Sequence, residues 1–311
     1  MLFVAYGHKL YSHTHSYIHY GFIKAFQKLG WDTKWVDDND EIDPLSYPSG
    51  TVFLTEGQVD KKIPKRKDCL YILHHVSQEA YQDIPEHNKV LLKLRQEKKT
   101  DDPCIKISEV STYHPNDNII ISMWATDLLP EEIDIDESIR NFDSKKKTVI
   151  FIGTLANCNR FGNYNQIMPF VKEAQKDEYE WLNYTSPFSN PIDNDTQKSL
   201  ISSCLLAPAI TGFWQQDVGY IPCRIFKNIS YGCIGITNSK YVADIIKNDC
   251  VYHQNSIELY KKTKEFLQQP NDIIKDILRR QMTNVKMNHT YMNRIDDILK
   301  VFEIKKQKVS S

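Results

Sequence analysis

The sequence carries no excess of charge, no paired cysteines and no long hydrophobic run. Its 311 residues hold 39 Lys and Arg against 40 Asp and Glu, a formal net charge of −1. That balance argues against the electrostatic grip of a strongly basic nucleic-acid-binding protein, so a nucleic-acid partner is not expected. The seven cysteines are scattered, odd in number and include no Cys-x-x-Cys pair, which points to a reducing compartment and away from a metal site. No apolar stretch reaches the ~20 residues needed to cross a bilayer. The short run Leu2–Tyr6 has no basic flank and meets His8 and Lys9 at once, so it reads as a strand and not as a leader. The expectation is a cytoplasmic globular protein without a transmembrane segment. The first strand–helix turn also lacks Gly-x-Gly-x-x-Gly, which argues against a nicotinamide-dependent oxidoreductase.

What is present is enough chain for two domains of ordinary size. Ile18, Phe22, Ile23, Phe26 and Leu29 share one face of a helix after the first strand. Gly30 ends that helix, and Thr33–Val36 follows as a strand, completing a βαβ unit whose crossover is right-handed in nearly all proteins. Further strands are predicted at Thr51–Thr55, Cys69–Leu73, Ile105–Ile107 and Ile119–Ser122, with a helix over Asn88–Lys98. The charged run Asp143–Lys147 reads as a linker, after which Thr148–Gly153 restarts the pattern with a strand and a glycine turn. Asp272–Ile304 reads as helix throughout. The expected organisation is therefore 1–143, 148–285 and a C-terminal helix over 286–304.

The second half is organised around Val218–Asn238. Gly219 and Pro222 suit a loop feeding the first turn of a helix. Ile221, Ile225, Phe226 and Ile229 follow helical spacing, and Gly232 supplies a left-handed stop. Cys233–Thr237 then reads as a buried parallel strand. Arg224 and Lys227 stand one turn apart near the positive end of the helix, a place to hold a phosphate group.

This pattern resembles the donor-binding element of GT-B glycosyltransferases, in particular the CgeB-type bacterial enzymes and phage DNA β-glucosyltransferase. In those families an Arg, an aromatic and a Glu open the corresponding helix. Arg224 and Phe226 match, whereas Lys227 stands where the ribose-binding Glu is expected, a departure toward fucosyltransferase-like enzymes. His289-Thr290-Tyr291-Met292-Asn293-Arg294 is similar to the His-Thr-Tyr-x-x-Arg signature that closes the CgeB-type domain. The resemblance covers roughly the second half of the chain. It implies an α/β, GT-B architecture: two Rossmann-like domains facing across a cleft, with a long C-terminal helix returning to the first. The N-terminal domain would serve the acceptor, and the C-terminal domain would bind a UDP- or GDP-linked sugar. The implied activity is a hexosyl- or fucosyltransferase of glycan biosynthesis acting on a glycan or glycolipid, with no metal or other cofactor. A binding module that has lost catalysis, or a nucleotide-sugar epimerase on the same scaffold, are the alternatives.

On that reading Gly153 and Thr154 approach the donor phosphates, and Tyr184 lies in the loop expected to hold the nucleobase. Arg224 and Lys227 face the diphosphate. Arg160 is either a further donor cation or a solvent-exposed loop arginine. Seven of the ten histidines precede residue 88. One of His8, His13 and His15 is expected to face the cleft, and the absence of His-Glu-x-x-His argues against a metal role. An inverting enzyme needs a base near neutral pKa. The strand-end residues Glu56, His74 and His75 rank above Asp37 and Asp38, which read as a solvated turn. Asp134-Ile135-Asp136 spells an Asp-x-Asp pair but lies in a mixed-charge, helix-like segment and is taken as chance.

Overall fold

The computed structural model describes residues 1–9, 14–57, 59–94, 103–158, 162–184, 192–247 and 249–310. The chain divides into two compact units, Met1–Met123 with Tyr291–Ser311, and Trp124–Thr290.

The first unit begins with β1 (Leu2–Tyr6), α1 (Thr14–Lys28) and β2 (Asp32–Val36). It continues through β3 (Val52–Glu56), β4 (Leu70–His74), β5 (Lys89–Lys93), β6 (Ile105–Lys106), β7 (Thr112–His114) and β8 (Ile119–Ile121). These strands form one sheet in the order β2-β1-β3-β4-β5-β8-β7-β6. The six strands from β2 to β8 run parallel, and β7 and β6 close the edge antiparallel. Every residue of β1 and β3 is buried, as central parallel strands covered on both faces require. Ile18, Phe22 and Phe26 of α1 are buried, and Phe26 stacks on Phe3 at 4.0 Å. Leu29 is exposed, because Gly30 at φ +78° has already turned the chain away.

Residues 89–93 are a strand where the spacing predicted a helix. Val90, Leu91 and Leu92 pair in parallel with β4 on one side, and Leu91, Leu92 and Lys93 with β8 on the other. A short apolar run fits either period, and two waiting strands decide for the extended form.

The second unit contains α2 (Ile135–Arg140), β9 (Lys146–Ile152), α3 (Tyr164–Lys176), β10 (Glu180–Tyr184), α4 (Asn194–Ser203) and β11 (Cys204–Leu206). Then follow α5 (Phe213–Asp217), α6 (Cys223–Ser230), β12 (Ile236–Thr237), α7 (Lys240–Ile245), β13 (Val251–Tyr252), α8 (Ser256–Leu267) and α9 (Asn271–Asn288). Strands β10-β9-β11 and β12-β13 are parallel sets, joined by a parallel bridge from Ala209 to Thr237. Their carboxyl ends therefore share one edge of the unit.

The charged run 143–147 is not the boundary between units. Trp124, Leu128, Ile133 and Phe142 are buried within the second unit, and Asp143 accepts from Asn271 (3.0 Å) and Lys275 on α9. The apolar residues of 124–142 pull that segment into the second core, so the chain changes units at Met123 instead. The helix expected over 272–304 is also interrupted. Thr126 N–H donates to the His289 carbonyl at 3.0 Å, and Thr126 bridges Thr290. With that carbonyl diverted, α9 stops, and α10 (Tyr291–Ser310) belongs to the first unit.

Candidate functional site

In the second unit the carboxyl end of β9 and the amino end of α6 meet at one side chain. Gly153 follows β9 at φ +136° and donates its N–H to the Tyr184 carbonyl at 3.1 Å. A Cβ there would lie 2.5 Å from Nη2 of Arg224, so a glycine serves both the backbone angle and the close approach. Arg224, the second residue of α6, donates from Nε to the Ile152 carbonyl at 3.2 Å. Its guanidinium carbon lies 4.0 Å from the centre of the Phe151 ring, a cation–π contact that fixes its plane. Burial pushes the Arg224 pKa down from its ordinary value, yet guanidinium retains its charge in proteins. Among the described residues no carboxylate pairs with it. A part-buried cation at a helix amino end, already oriented and lacking a counter-ion, is ready for an anionic ligand.

Lys227 has a different partner. Its ammonium lies 3.8 Å from Oδ1 of buried Asp127. Tyr231 Oη donates to both oxygens of that carboxylate at 2.8 Å, and burial beside it holds the phenol pKa well above its ordinary value. Asp127 thus offsets the Lys227 charge, and the positive charge at the β9 edge rests on Arg224. Thr154 is exposed, its carbonyl accepting from Asn163 at 2.9 Å. Tyr184 ends β10 half-buried. Arg160 lies outside the described residues. Asp134 of the Asp-x-Asp pair caps α2, accepting from Glu137 N–H at 2.8 Å.

At the same carboxyl edge, Asn238 follows β12 and joins its neighbouring loop by two bonds to the Thr211 backbone, at 2.8 and 2.9 Å. Ser239 beside it buries a hydroxyl that has no partner among the described residues. The two sequence motifs of this half meet where the His289 ring stacks on Phe226 at 4.4 Å. Farther along the second motif, Arg294 is buried in the first unit, with Nε donating to the Met123 carbonyl at 2.8 Å.

The first unit gathers histidines at the carboxyl ends of β1, β3 and β4. His8 Nε2 lies 2.8 Å from Oε2 of Glu56, and both side chains are at most 8% exposed. Its ring is 5.2 Å from that of His15 and 5.8 Å from that of His19. His15 and His74 are 5.6 Å apart, and His74 and His75 4.0 Å. His8 and His75 both adopt positive φ, +53° and +50°, a strained geometry that concentrates at functional sites. His19 Nδ1 donates to the Gly7 carbonyl at 2.9 Å, and burial pushes its pKa down to about 3. It is therefore neutral at pH 7, with Nε2 as an acceptor. His74 is oriented in the same way by the Leu92 carbonyl, 3.1 Å from Nδ1. His75 is exposed, and His13 lies outside the described residues. Asp38 accepts from Tyr6 Oη at 2.7 Å and from the Lys61 and Lys62 N–H groups, so its carboxylate is committed to a turn. Among the described residues no group of three His, Cys, Asp or Glu is placed to hold a metal ion.

No family model matches the sequence, and no curated protein matches it. Solved structures do resemble the fold. An alpha-glucosyltransferase in complex with UDP and a 13-mer DNA aligns over 98% of this chain and 99% of its own, with TM-score 0.57 and 9% identity. The same alpha-glucosyltransferase activity in a complex with UDP alone gives TM-score 0.53 at 9% identity over 98% and 99% of the two chains. A trehalose 6-phosphate synthase from Burkholderia multivorans gives TM-score 0.50 at 6% identity over 95% of this chain and 76% of its own. The chain has the GT-B fold. In GT-B terms, Gly153 and Arg224 lie at the carboxyl edge of the second Rossmann-like unit, and the Glu56–His8 pair lies at the carboxyl edge of the first.

Asp127, Tyr231, Asn238 and Ser239 were not singled out from the sequence. Asn238 closes the organising stretch and Ser239 adjoins it. The position of Asn238 after a predicted strand was the available signal. Nothing local marked Asp127, 100 residues before the lysine it pairs with.

Proposed function

We propose that this GT-B chain is a metal-independent glycosyltransferase. It moves a sugar from a UDP- or GDP-linked donor to a hydroxyl of a glycan or glycolipid. The observation that carries the reading is Arg224, held over the Gly153 turn without a carboxylate partner among the described residues. A nucleoside diphosphate leaves with growing negative charge, and an oriented cation beside backbone N–H groups stabilises that charge as it develops. The UDP in the two alpha-glucosyltransferase structures is consistent with this donor class.

The acceptor hydroxyl must lose a proton. The Glu56–His8 pair offers a carboxylate hydrogen-bonded to an imidazole, a candidate general base for that proton. His74 and His15 complete a polar surround for it. Lys227 contributes indirectly: paired with Asp127, it ties down the middle of the helix that presents Arg224.

The deciding experiment is thermal-shift and calorimetric screening of nucleoside diphosphates and their sugars, with and without magnesium, on the wild type and Arg224→Ala. A selective shift for one nucleotide, independent of magnesium and lost in the variant, supports the reading. Near-normal affinity in the variant removes Arg224 from the donor site. Turnover assays then compare glycan, glycolipid and oligonucleotide acceptors, the last because one structural neighbour is bound to DNA. Release of free nucleoside diphosphate with transfer separates a transferase from an epimerase.

A further inference from the structure

A cavity of about 470 Å³ opens in the second unit at the start of β9, the opposite end of that strand from Gly153. Its size falls in the range of small-molecule sites. Three carboxylates line it (Glu132, Asp134 and Glu137), as do three lysines (Lys145, Lys146 and Lys198). Opposite charges this close leave room for direct pairing. Yet among the described residues no ion pair joins any of these lysines to a carboxylate. Lys145 instead donates to the Ser202 carbonyl, and Lys146 and Lys198 are exposed lining residues.

The serines that line the cavity indicate what would satisfy it. Ser138 donates its hydroxyl to Asp134 O (2.9 Å) and Ser144 to Asn141 O (2.8 Å). Ser202 donates to Ser199 O (3.1 Å) and Ser203 to Leu200 O (2.9 Å). With those protons committed to backbone carbonyls, the serine oxygens can only accept. Carboxylates also only accept when ionised. The lining therefore calls for a ligand rich in hydroxyl donors, and the lysines call for an anionic group on the same molecule.

We propose that this cavity is a second ligand site, specific for a monosaccharide phosphate and separate from the donor site. Its phosphate faces Lys146 and Lys198, and its hydroxyls donate to Glu137, Asp134 and the serines. The site is placed to act on the donor helix. Ser230 and Tyr231, at the end of α6, line the cavity, and Arg224 is on the first turn of that helix. Tyr231 also reaches Asp127, the partner of Lys227. Occupancy would change donor affinity through α6.

The test is isothermal titration calorimetry on the full chain with glucose 6-phosphate, glucose and inorganic phosphate, each with and without saturating UDP or GDP. Glucose 6-phosphate is expected to bind more tightly than phosphate, and glucose not to bind. Lys146→Ser and Lys198→Ser change exposed residues and should each weaken binding about tenfold, the loss of one charge-assisted hydrogen bond. Glu137→Gln should weaken glucose 6-phosphate and leave phosphate unchanged. Arg224→Ala should leave this binding intact, so the outcome is independent of the donor assignment. Four results would overturn the proposal: no binding of any probe up to about 10 mM, binding unchanged in the lysine variants, displacement by a nucleoside diphosphate, or phosphate binding as tightly as the sugar phosphate.

Discussion

Gly153→Ala is the substitution that most directly tests how the donor edge is built. At φ +136° an alanine is strained, by about 1–3 kcal/mol for such a backbone region. Its methyl would also stand 2.5 Å from Arg224 Nη2. The guanidinium is the end of a flexible side chain, so it moves, giving up its bond to the Ile152 carbonyl and its place over Phe151. The protein should therefore stay folded, with a melting temperature lowered by about 2–4 °C per kcal/mol of strain. Nucleoside-diphosphate affinity should fall further than that modest strain suggests. A charge-assisted contact is worth about 1.5–3 kcal/mol, or roughly 10- to 150-fold in Kd. Because both changes act through one guanidinium, the double variant Gly153→Ala/Arg224→Ala should bind no more weakly than Arg224→Ala alone. Titration calorimetry with UDP and GDP on the four proteins measures this. Additive losses, or a folded Gly153→Ala with undiminished affinity, would refute the coupling.

Three further outcomes are expected. Glu56→Gln should lower kcat by about 10²–10⁴-fold in a transfer assay and leave donor Kd unchanged, because it removes a base and not a donor contact. Asp127→Asn removes the carboxylate that faces the buried Lys227 ammonium and should destabilise the protein by about 3 kcal/mol in urea titration, more than Tyr231→Phe does. Lys305 is buried with its ammonium on the Lys89 carbonyl and Asn118 Oδ1, and burial pushes its pKa down to about 8. The unfolded chain, with an ordinary lysine pKa of about 10.4, binds more protons between those values, so stability attributable to Lys305 rises with pH across that window. The gain is at most about 3 kcal/mol, and Lys305→Met should abolish it when urea midpoints at pH 7.5 and 9.5 are compared.

The alternation of strands and helices was legible in the chain because its signals are local, and the GT-B expectation came from the resemblance of Val218–Asn238 and His289–Arg294. Gly30 and Gly232 mark helix ends at φ +78° and +85°, and the short apolar runs of β1, β3 and β9, bounded by turn residues, were read correctly as interior strands. The organising stretch likewise set α6 and the stop after it. Short or amphiphilic segments were not settled in this way. Lys89–Lys93 could be helix or strand until β4 and β8 stood on either side of it. The division between units could not be read from the charge run at 143–147, because buried Phe142 and Ile133 outweigh a few solvated lysines.

The candidate site divides along the same line. By itself the sequence determined that a cation and a glycine stand at the ends of a helix and a strand, since both follow from residue type and spacing. Only the tertiary structure decided which cation is left without a counter-ion. Arg224 and Lys227 are three residues apart and equal in formal charge, but Asp127 reaches one and not the other. It decided likewise that Glu56 bonds His8, 48 residues away, across adjacent strand ends. The physical reason is that propensity and periodicity act within a few residues, whereas the state of a charged group depends on whatever the fold brings within a few ångströms of it.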